Sequence, residues 1–369
     1  MGSEPLSANA SRRGRLSERG AIVLAVALVL AWGGLTWASI RLGWSGVIAP
    51  DEIVRGVGAT LGLAEPLEGR TQDILVLRLR HALAAGAVGA ALALAGALLQ
   101  GLFRNGLASP SVVGVTAGSV LGACVAIALL GGYGASLVPL ERGALTPALV
   151  TLFALVGAVV VTWGVVGLAS TGRRLSVPTL LLAGIAMNTV VGGILAALQS
   201  ITLKDHEISR AILAWTFGTL DDRSSFQVGL VWMGLAAAAL SIPFVALELD
   251  LFAGGEEDAE TLGVDVQRVK TLVLLAATVA TASSVSVAGQ IPFVGLVVPH
   301  IVRSLAGSAH RLVLPLSLLL GAVFVLGADT AQRAWAPGSG LRPGVLMSLV
   351  GGPFFLVLLV RSRRTLTSW

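Results

Sequence analysis

The chain has 369 residues, of which 55% are hydrophobic and 12% are charged, and its formal net charge is +5. Soluble domains carry about 25% charged residues, so this composition excludes an ordinary soluble protein. The apolar residues come in runs of about 20, the length that a helix needs to cross the hydrocarbon core of a membrane. A β-barrel would instead show short alternating segments. The sequence therefore predicts an all-α polytopic membrane protein.

About ten apolar runs define the predicted spans. The first, 21–40, follows a polar stretch with four arginines, and it is longer than the apolar core of a cleaved leader, so we interpret it as a span. We expect residues 1–19 to form a basic cytoplasmic tail, 20–364 a single transmembrane domain, and 365–369 a cytoplasmic C-terminal tail. The other predicted spans are 82–101, 111–132, 146–170, 177–202, 227–247, 270–289, 294–306, 312–330 and 344–360.

The arginines predict the orientation of the chain. With a cytoplasmic N-terminus, the clusters at 12–19, 173–174 and 361–364 all flank span ends on the inner side, as the positive-inside rule requires. We therefore expect both termini in the cytoplasm. The net positive charge then reflects topology and contact with lipid headgroups, and nucleic acid is a poor explanation for it.

Two short motifs interrupt the apolar pattern with glycine and proline. Gly106–Pro110 (GLASP) follows the second span and Gly295–Pro299 (GLVVP) follows the seventh, with Gln100 and Gln290 shortly before them. The predicted topology places the first copy on the cytoplasmic face and the second outside. A motif that recurs on opposite faces indicates an inverted repeat, typical of transporters whose broken helices meet around a central path. Close helix packing on glycine is the alternative explanation.

The sequence offers no internal energy source. A P-loop needs a lysine after glycine, and neither Lys204 nor Lys270 follows one. A proton-coupled or sodium-coupled carrier would need buried acids, and Asp329 is the one acid near a span end. Asp329 is either a relay residue or, more simply, the i+4 partner of Arg333. We therefore expect energy to enter through a partner chain, with an ion-coupled secondary transporter as the alternative.

Metal and cofactor chemistry is not expected within this chain. Cys124 is the only cysteine, which excludes an intrachain disulfide and a cysteine-based metal site. The histidines are scattered and none pairs at i, i+4, so a metal site within the subunit is not predicted. No convergent set of catalytic groups indicates an enzyme. The four histidines are His81, His206, His300 and His310.

Several segments together resemble the FecCD-type permease family of bacterial ABC importers for ferric siderophores, haem and cobalamin. The resemblance spans residues 21–364. The segments that carry it are 78–123, 180–188, 259–264, 289–303 and the series Asp329, Arg333 and 351–355.

This resemblance implies a ten-helix subunit of type II importer architecture in the bacterial cytoplasmic membrane. Such a subunit pairs with a second copy or a close paralogue, and the substrate path lies at their interface. The implied partners are two cytoplasmic ATPase subunits, which bind ATP and Mg²⁺, and a periplasmic or lipid-anchored binding protein. We favour a ferric siderophore as substrate, with haem and cobalamin as alternatives.

The resemblance also implies a docking site for the binding protein. In the family, two arginines of an R-L-P-R motif and one arginine after an Ala-Asp pair receive acidic residues. Here Arg80 and His81 replace the proline and the second arginine, and Arg342 lies in a stretch that departs from the family's E-L-P-V-G. A more electropositive entrance would suit an acidic binding protein or an anionic chelate, whereas headgroup anchoring is the alternative. The expected docking residues are Arg78, Arg80, His81, Arg333 and Arg342.

The loop 249–268 resembles the cytoplasmic segment that seats on the ATPase. Its acids precede Ala259 and Leu262, which we place on one apolar side of a short helix that Gly263 can end. An ordinary solvated loop is the alternative. The expected coupling residues are Glu256, Glu257, Ala259, Glu260, Leu262 and Gly263.

The resemblance finally implies an inner gate. Asn105 and Leu107 match family positions that narrow the path, and the turn of Ser176, Val177 and Pro178 lies where the other constriction falls. Small apolar rings can close a path by dewetting. Asn105 and Ser176 could instead cap the backbone after a break.

Overall fold

The computed structural model describes residues 16–43, 46–130, 145–171, 174–335 and 341–366, and the predicted tails lie mostly outside these ranges. The all-α class is confirmed, apart from a pair of two-residue antiparallel strands, β1 (Ser170–Thr171) and β2 (Arg174–Leu175). The helices are α1 (Glu18–Arg41), α2 (Pro50–Thr60), α3 (Thr71–Leu102), α4 (Val115–Leu129), α5 (Leu145–Ala169), α6 (Val177–Thr202), α7 (His206–Thr216), α8 (Ser225–Ala239), α9 (Ile242–Leu251), α10 (Glu256–Thr261), α11 (Val266–Ala288), α12 (Val294–Ala306), α13 (His310–Trp335) and α14 (Pro343–Leu366).

Each predicted span coincides with one helix, except 227–247, which covers the pair α8 and α9. Six helices are long and apolar enough to cross a membrane, namely α1, α3, α5, α6, α11 and α13, and α8 with α9 forms a seventh span bent by 48°. The shorter apolar helices α4 and α12 and the apolar segment Pro343–Val357 of α14 account for the other three predicted runs. With 13 residues, α12 is about 20 Å long and cannot cross the hydrocarbon core alone.

Contacts between helix ends show how the spans alternate. The start of α3 meets the end of α13, where His81 Nε2 lies 2.8 Å from Asp329 Oδ2. At the opposite end of the bundle, His310 at the start of α13 packs against Gly101 near the end of α3. We call the His81 end the outer end and the His310 end the inner end. That the outer end faces away from the cytoplasm stays a prediction from the arginines.

Helix α3 forms the centre of the bundle. Its most apolar 18-residue window is 94% buried, and that window consists mostly of alanine, glycine and leucine. Gly89 lies against the backbone of Gly321 on α13, and Gly96 lies against the backbone of Gly295 on α12. Small residues permit this close approach of two backbones, which is how helices pack tightly in lipid.

The two interrupted segments meet inside the bundle. Residues 289–293 break the chain between α11 and α12, and a short 3₁₀ turn, Pro110–Val113, lies between α3 and α4. The ring of Pro110 packs against Gly295, and both line a small cavity of about 100 Å³. The prediction that the two motif copies lie on opposite faces is therefore wrong. The freed backbone groups of a break need protein neighbours, and this contact supplies some of them.

The order of helix lengths supports the predicted inverted repeat. A long helix, a break, a short helix and a second long helix occur in α3–α4–α5 and again in α11–α12–α13. Helix α3 begins at the outer end, whereas α11 ends there, so the two helices run in opposite senses. At the end of α11, Arg223 Nη1 donates to Val287 O at 2.8 Å. This antiparallel recurrence is typical of inverted-topology transporters.

Replacing Gly96 by alanine tests the crossing of α3 and α12. The new Cβ would collide with the backbone of Gly295, so we expect Gly96→Ala to lower the free energy of unfolding by about 1–3 kcal/mol. Gly33 on α1 is the matched control, because a Cβ there meets no atom within 4 Å. Thermal unfolding in detergent measures both variants, and equal unfolding temperatures for the two would contradict the crossing.

Candidate functional site

A buried ionic network joins three helices at the outer end. Asp329 Oδ2 accepts from Arg333 Nε at 3.0 Å and lies 2.8 Å from His81 Nε2. Arg333 Nη2 also donates to Ser39 Oγ at 2.6 Å. The side chain of Asp329 is only 3% exposed and that of Arg333 11%. The i+4 partnership of Asp329 and Arg333 is therefore confirmed, and it ties α13 to α1 and α3.

Arg78 has a structural role at this end. Its buried guanidinium donates to the carbonyl oxygens of Ile40 at 2.9 Å, Arg41 at 3.1 Å and Gly46 at 2.8 Å. It occupies the space where a Cβ on Gly43 would lie. These bonds hold the connection between α1 and α2. A docking role for Arg78 stays a prediction.

The other predicted docking residues are distributed around two cavities at the outer end. His81 and Arg333 line the smaller, of about 280 Å³, together with Arg78. Arg342 lines the larger, of about 770 Å³, beside α5, α7 and α8. The loop residues Asp221 and Asp222 line both cavities, and half-buried Arg80 lies outside both linings.

The predicted coupling residues form a short helix at the inner end. The loop predicted over 249–268 is shorter than expected, because its first residues belong to α9 and its last to α11. Ala259 is fully buried, whereas Leu262 is 66% exposed, so the two do not share one apolar side as expected. Gly263 follows α10 with φ +87°, and it ends the helix as predicted.

A cavity of about 640 Å³ brings coupling and gate residues together. Val177 and Pro178 at the start of α6 line it together with Glu256 and Glu257 at the start of α10, and Arg104 also lines it. The sequence separates these residues by about 80 positions, so their meeting is a result of the fold. The gate role of Val177 and Pro178 stays a prediction.

Asn105 and Ser176 make the capping bonds that were considered as the alternative to a gate. Asn105 Oδ1 accepts from Leu107 N at 2.9 Å, and Ser176 Oγ accepts from Thr179 N at 3.4 Å. Ser176 is the N-cap of α6. Leu107 is 40% exposed beside the first break. A gate role for these residues stays a prediction.

Two polar links at the inner end were not predicted from the sequence. Lys270 is 2% exposed, and its Nζ lies 2.6 Å from Glu256 Oε2. Gln100, noted only for its spacing, accepts from Arg303 and donates from Nε2 to Gly295 O at 3.2 Å. A lone lysine inside an apolar run was the available signal for the first link. No local pattern indicates the partners.

The chain resembles known transport proteins over nearly its whole length. The model of the FecCD transport family matches residues 22–361, nearly the whole chain. The chain belongs to the FecCD transport family. It is 38% identical to the cobalamin import system permease protein BtuC of Halobacterium salinarum, over 81% of this chain and 78% of that one.

Other FecCD relatives carry different substrate names. The chain is 36% identical to the hemin transport system permease protein HmuU of Yersinia pestis, over 78% of this chain and 83% of that one. It is 34% identical to the Fe(3+) dicitrate transport system permease protein FecC of Escherichia coli, over 91% and 98%. A solved structure described as an inward-facing metal-chelate type ABC transporter superimposes with a TM-score of 0.76 over 92% of this chain and 99% of that chain; at 24% identity it shows the fold alone.

Membership of the FecCD family fixes the class of protein. The chain is an ABC importer permease of the iron-chelate, haem and cobalamin class, and it is a multi-pass transport protein rather than an enzyme. The resemblance drawn from the motifs is thereby confirmed. Because its relatives' names span all three substrates, family membership alone does not choose among them.

Removing the Asp329 carboxylate tests the outer network. Asp329→Ala leaves His81 and Arg333 buried without their acceptor, so we expect a loss of about 3–5 kcal/mol in the free energy of unfolding. Asp51→Ala is the control, because it breaks an exposed i,i+4 pair with Arg55 worth at most about 1 kcal/mol. Similar small losses for both variants in thermal unfolding would show that the buried network does not hold the helices together.

Proposed function

We propose that the chain is the permease subunit of an ATP-driven importer for ferric siderophores. It passes the chelate from the periplasmic or extracellular side to the cytoplasm, along a path between this chain and a second, identical or paralogous, permease subunit. Two cytoplasmic ATPase subunits, which hold ATP and Mg²⁺, drive the cycle, and a periplasmic or lipid-anchored binding protein delivers the substrate. The chain itself binds no cofactor.

The exposed surface of α6 is the observation that carries the proposed path. The apolar windows of α1 and α6 are only 11% and 17% buried, so each presents a wide free surface. On α1 the large exposed side chains are apolar, as lipid contact requires. The large exposed side chains of α6 are apolar too, but its exposed surface also carries the hydroxyl residues Thr189 and Ser200. Exposed hydroxyls suit a polar path or contact with a second subunit better than lipid.

The surface of α10 supports a seat for the ATPase. Glu257, Asp258 and Glu260 are exposed at the inner end, next to the exposed side chain of Leu262. An apolar side chain surrounded by charges of one sign favours docking of a partner with a small apolar pocket and a basic rim. Ala259 of α10 is fully buried, so α10 packs against the bundle. A force that the ATPase applies to α10 can therefore reach the bundle.

The larger outer cavity supports a ferric siderophore as substrate. Its volume of about 770 Å³ lies within the roughly 300–1,000 Å³ of small-molecule sites. Three guanidinium groups line it, and arginine donates bidentate hydrogen bonds to carboxylate and similar oxygen pairs, the groups that siderophores use to hold iron. Three acids share the cavity, so selection rests on hydrogen-bond geometry and not on net charge. The arginines are Arg210, Arg223 and Arg342, and the acids are Glu207, Asp221 and Asp222.

Uptake of radioactive iron tests the class of transport. In cells that express the complete importer, we expect uptake of ⁵⁵Fe-loaded siderophore to stop when the partner ATPase is inactivated by mutation. Uptake that continues without ATP hydrolysis and collapses with the proton gradient would show an ion-coupled secondary transporter. Competition by unlabelled haem or cobalamin, in place of unlabelled siderophore, would overturn the substrate assignment.

Truncation of Arg210 tests the substrate cavity. Arg210 is exposed and lines the cavity, so Arg210→Ala removes charge-assisted hydrogen bonds to the chelate, and we expect about a tenfold lower rate of uptake at subsaturating siderophore. Arg55→Ala, an exposed arginine on α2 outside the cavity, is the matched control. Equal uptake by both variants, at equal amounts of protein in the membrane, would remove the cavity from the path.

A further inference from the structure

Lys270 lies at a junction of three elements at the inner end. It belongs to the second turn of α11, it is 2% exposed, and it is one of only two lysines in the sequence. Its Nζ donates to Glu256 Oε2 at 2.6 Å and to Leu175 O at 2.9 Å. Burying an ammonium group costs several kcal/mol, which these two acceptors must offset. An apolar side chain at this position would avoid the free-energy cost of burying the ammonium group.

Gln267 makes the second hydrogen bond between α11 and Leu175. It lies one turn before Lys270 on the same face of α11, and its Oε1 accepts from Leu175 N at 2.9 Å. Both backbone polar groups of Leu175 are therefore bonded to α11. Leu175 ends β2 and directly precedes Ser176, the N-cap of α6. These two hydrogen bonds therefore fix the position where α6 begins.

We propose that Lys270 is a positioning residue that transmits displacement of α10 to the start of α6. The proposal rests on the proposed function, in which a motor seats on α10 and α6 lines the path. Glu256 is the first residue of α10 and its side chain is 39% exposed, so it lies at the surface on which the motor would seat. Lys270 connects this carboxylate to the backbone that leads into α6.

The surroundings explain why the link passes through Lys270. Val177 and Pro178 on α6 and Glu257 on α10 line the same inner cavity of about 640 Å³, so part of the space between these two elements holds no side chain. The bonds from Lys270 Nζ cross from one element to the other beside that cavity. An ion pair alone would only anchor α10 to α11. The second bond, to a backbone carbonyl, adds α6 to the same rigid unit.

Replacement of Lys270 by methionine tests the transmission. Lys270→Met keeps the apolar stem of the side chain and removes both bonds. In proteoliposomes that contain both permease subunits, the ATPase subunits and the binding protein, we expect the number of ATP molecules hydrolysed per chelate imported to rise about tenfold. Basal hydrolysis and binding of the ATPase subunits should be retained, which loss of folding would not allow. Lys204→Met, at the exposed second lysine, is the matched control and should leave the ratio unchanged.

Two further variants separate the carbonyl bond from the ion pair. Glu256→Ala removes the ion pair and leaves the bond from Lys270 Nζ to Leu175 O, so it should also raise the ratio, and it keeps the test available if Lys270→Met does not fold. The combined exchange Glu256→Lys with Lys270→Glu restores opposite charges but turns a carboxylate toward Leu175 O, so the ratio should stay high. A normal ratio in the exchange or in Glu256→Ala would overturn the proposal.

The outcomes also distinguish this proposal from the proposed function. If the wild-type complex shows no ATP-dependent uptake, the proposed function fails and the proposal fails with it. If the wild-type complex couples hydrolysis to uptake and Lys270→Met couples equally well, the proposal alone is overturned. A fall in basal hydrolysis and uptake in equal proportion would also overturn it, because that result indicates a merely structural role.

Discussion

The hydrogen bonds that close the interrupted helices inside the bundle are the constraint on which the rest of the structure depends. Lipid cannot satisfy a free backbone group, so each break needs protein partners. Gln100 on α3 donates to Gly295 O, Thr219 N donates to Ala288 O at 2.8 Å, and Gly344 N donates to Phe217 O at 3.1 Å. These bonds bring α3, α12, the α7–α8 loop and α14 to the same breaks, and the glycine crossings of α3 follow from that convergence.

The polar networks at the two ends build on this central arrangement. At the outer end Asp329 holds α13 to α3 and Arg333 holds α13 to α1, and at the inner end Lys270 holds α10 and the start of α6 to α11. Between them, α3 is almost fully buried, whereas α6 has a largely free surface. A buried centre with the exposed helix α6 attached at a defined point suits an importer, because a partner can then move α6, together with the first break on which Gly184 and Asn188 pack, against that centre.

Span positions could be predicted from the sequence because the length of an apolar run is a local property. The placement of the breaks could not. A topology built from apolar runs alone places the end of each helix at a membrane face. It therefore assigns the Gly106 and Gly295 motifs to opposite faces, although Pro110 and Gly295 are in contact. Charge in the sequence also does not reveal burial: the guanidinium of Arg78 is buried and donates to backbone carbonyl oxygens, which no local pattern indicates. Short amphipathic helices such as α7 fall below the length that hydropathy detects.

Thiol labelling of α6 tests the central claim most directly, namely that α6 borders an aqueous path that a separate motor opens. Thr189→Cys places a thiol on the exposed surface of α6, and the native Cys124 is buried, so background labelling is low. In the complete importer, we predict that a membrane-impermeant thiol reagent labels this cysteine and that the rate changes when the ATPase binds ATP. Labelling only by a lipid-soluble reagent, at a rate that nucleotide does not change, would contradict the account.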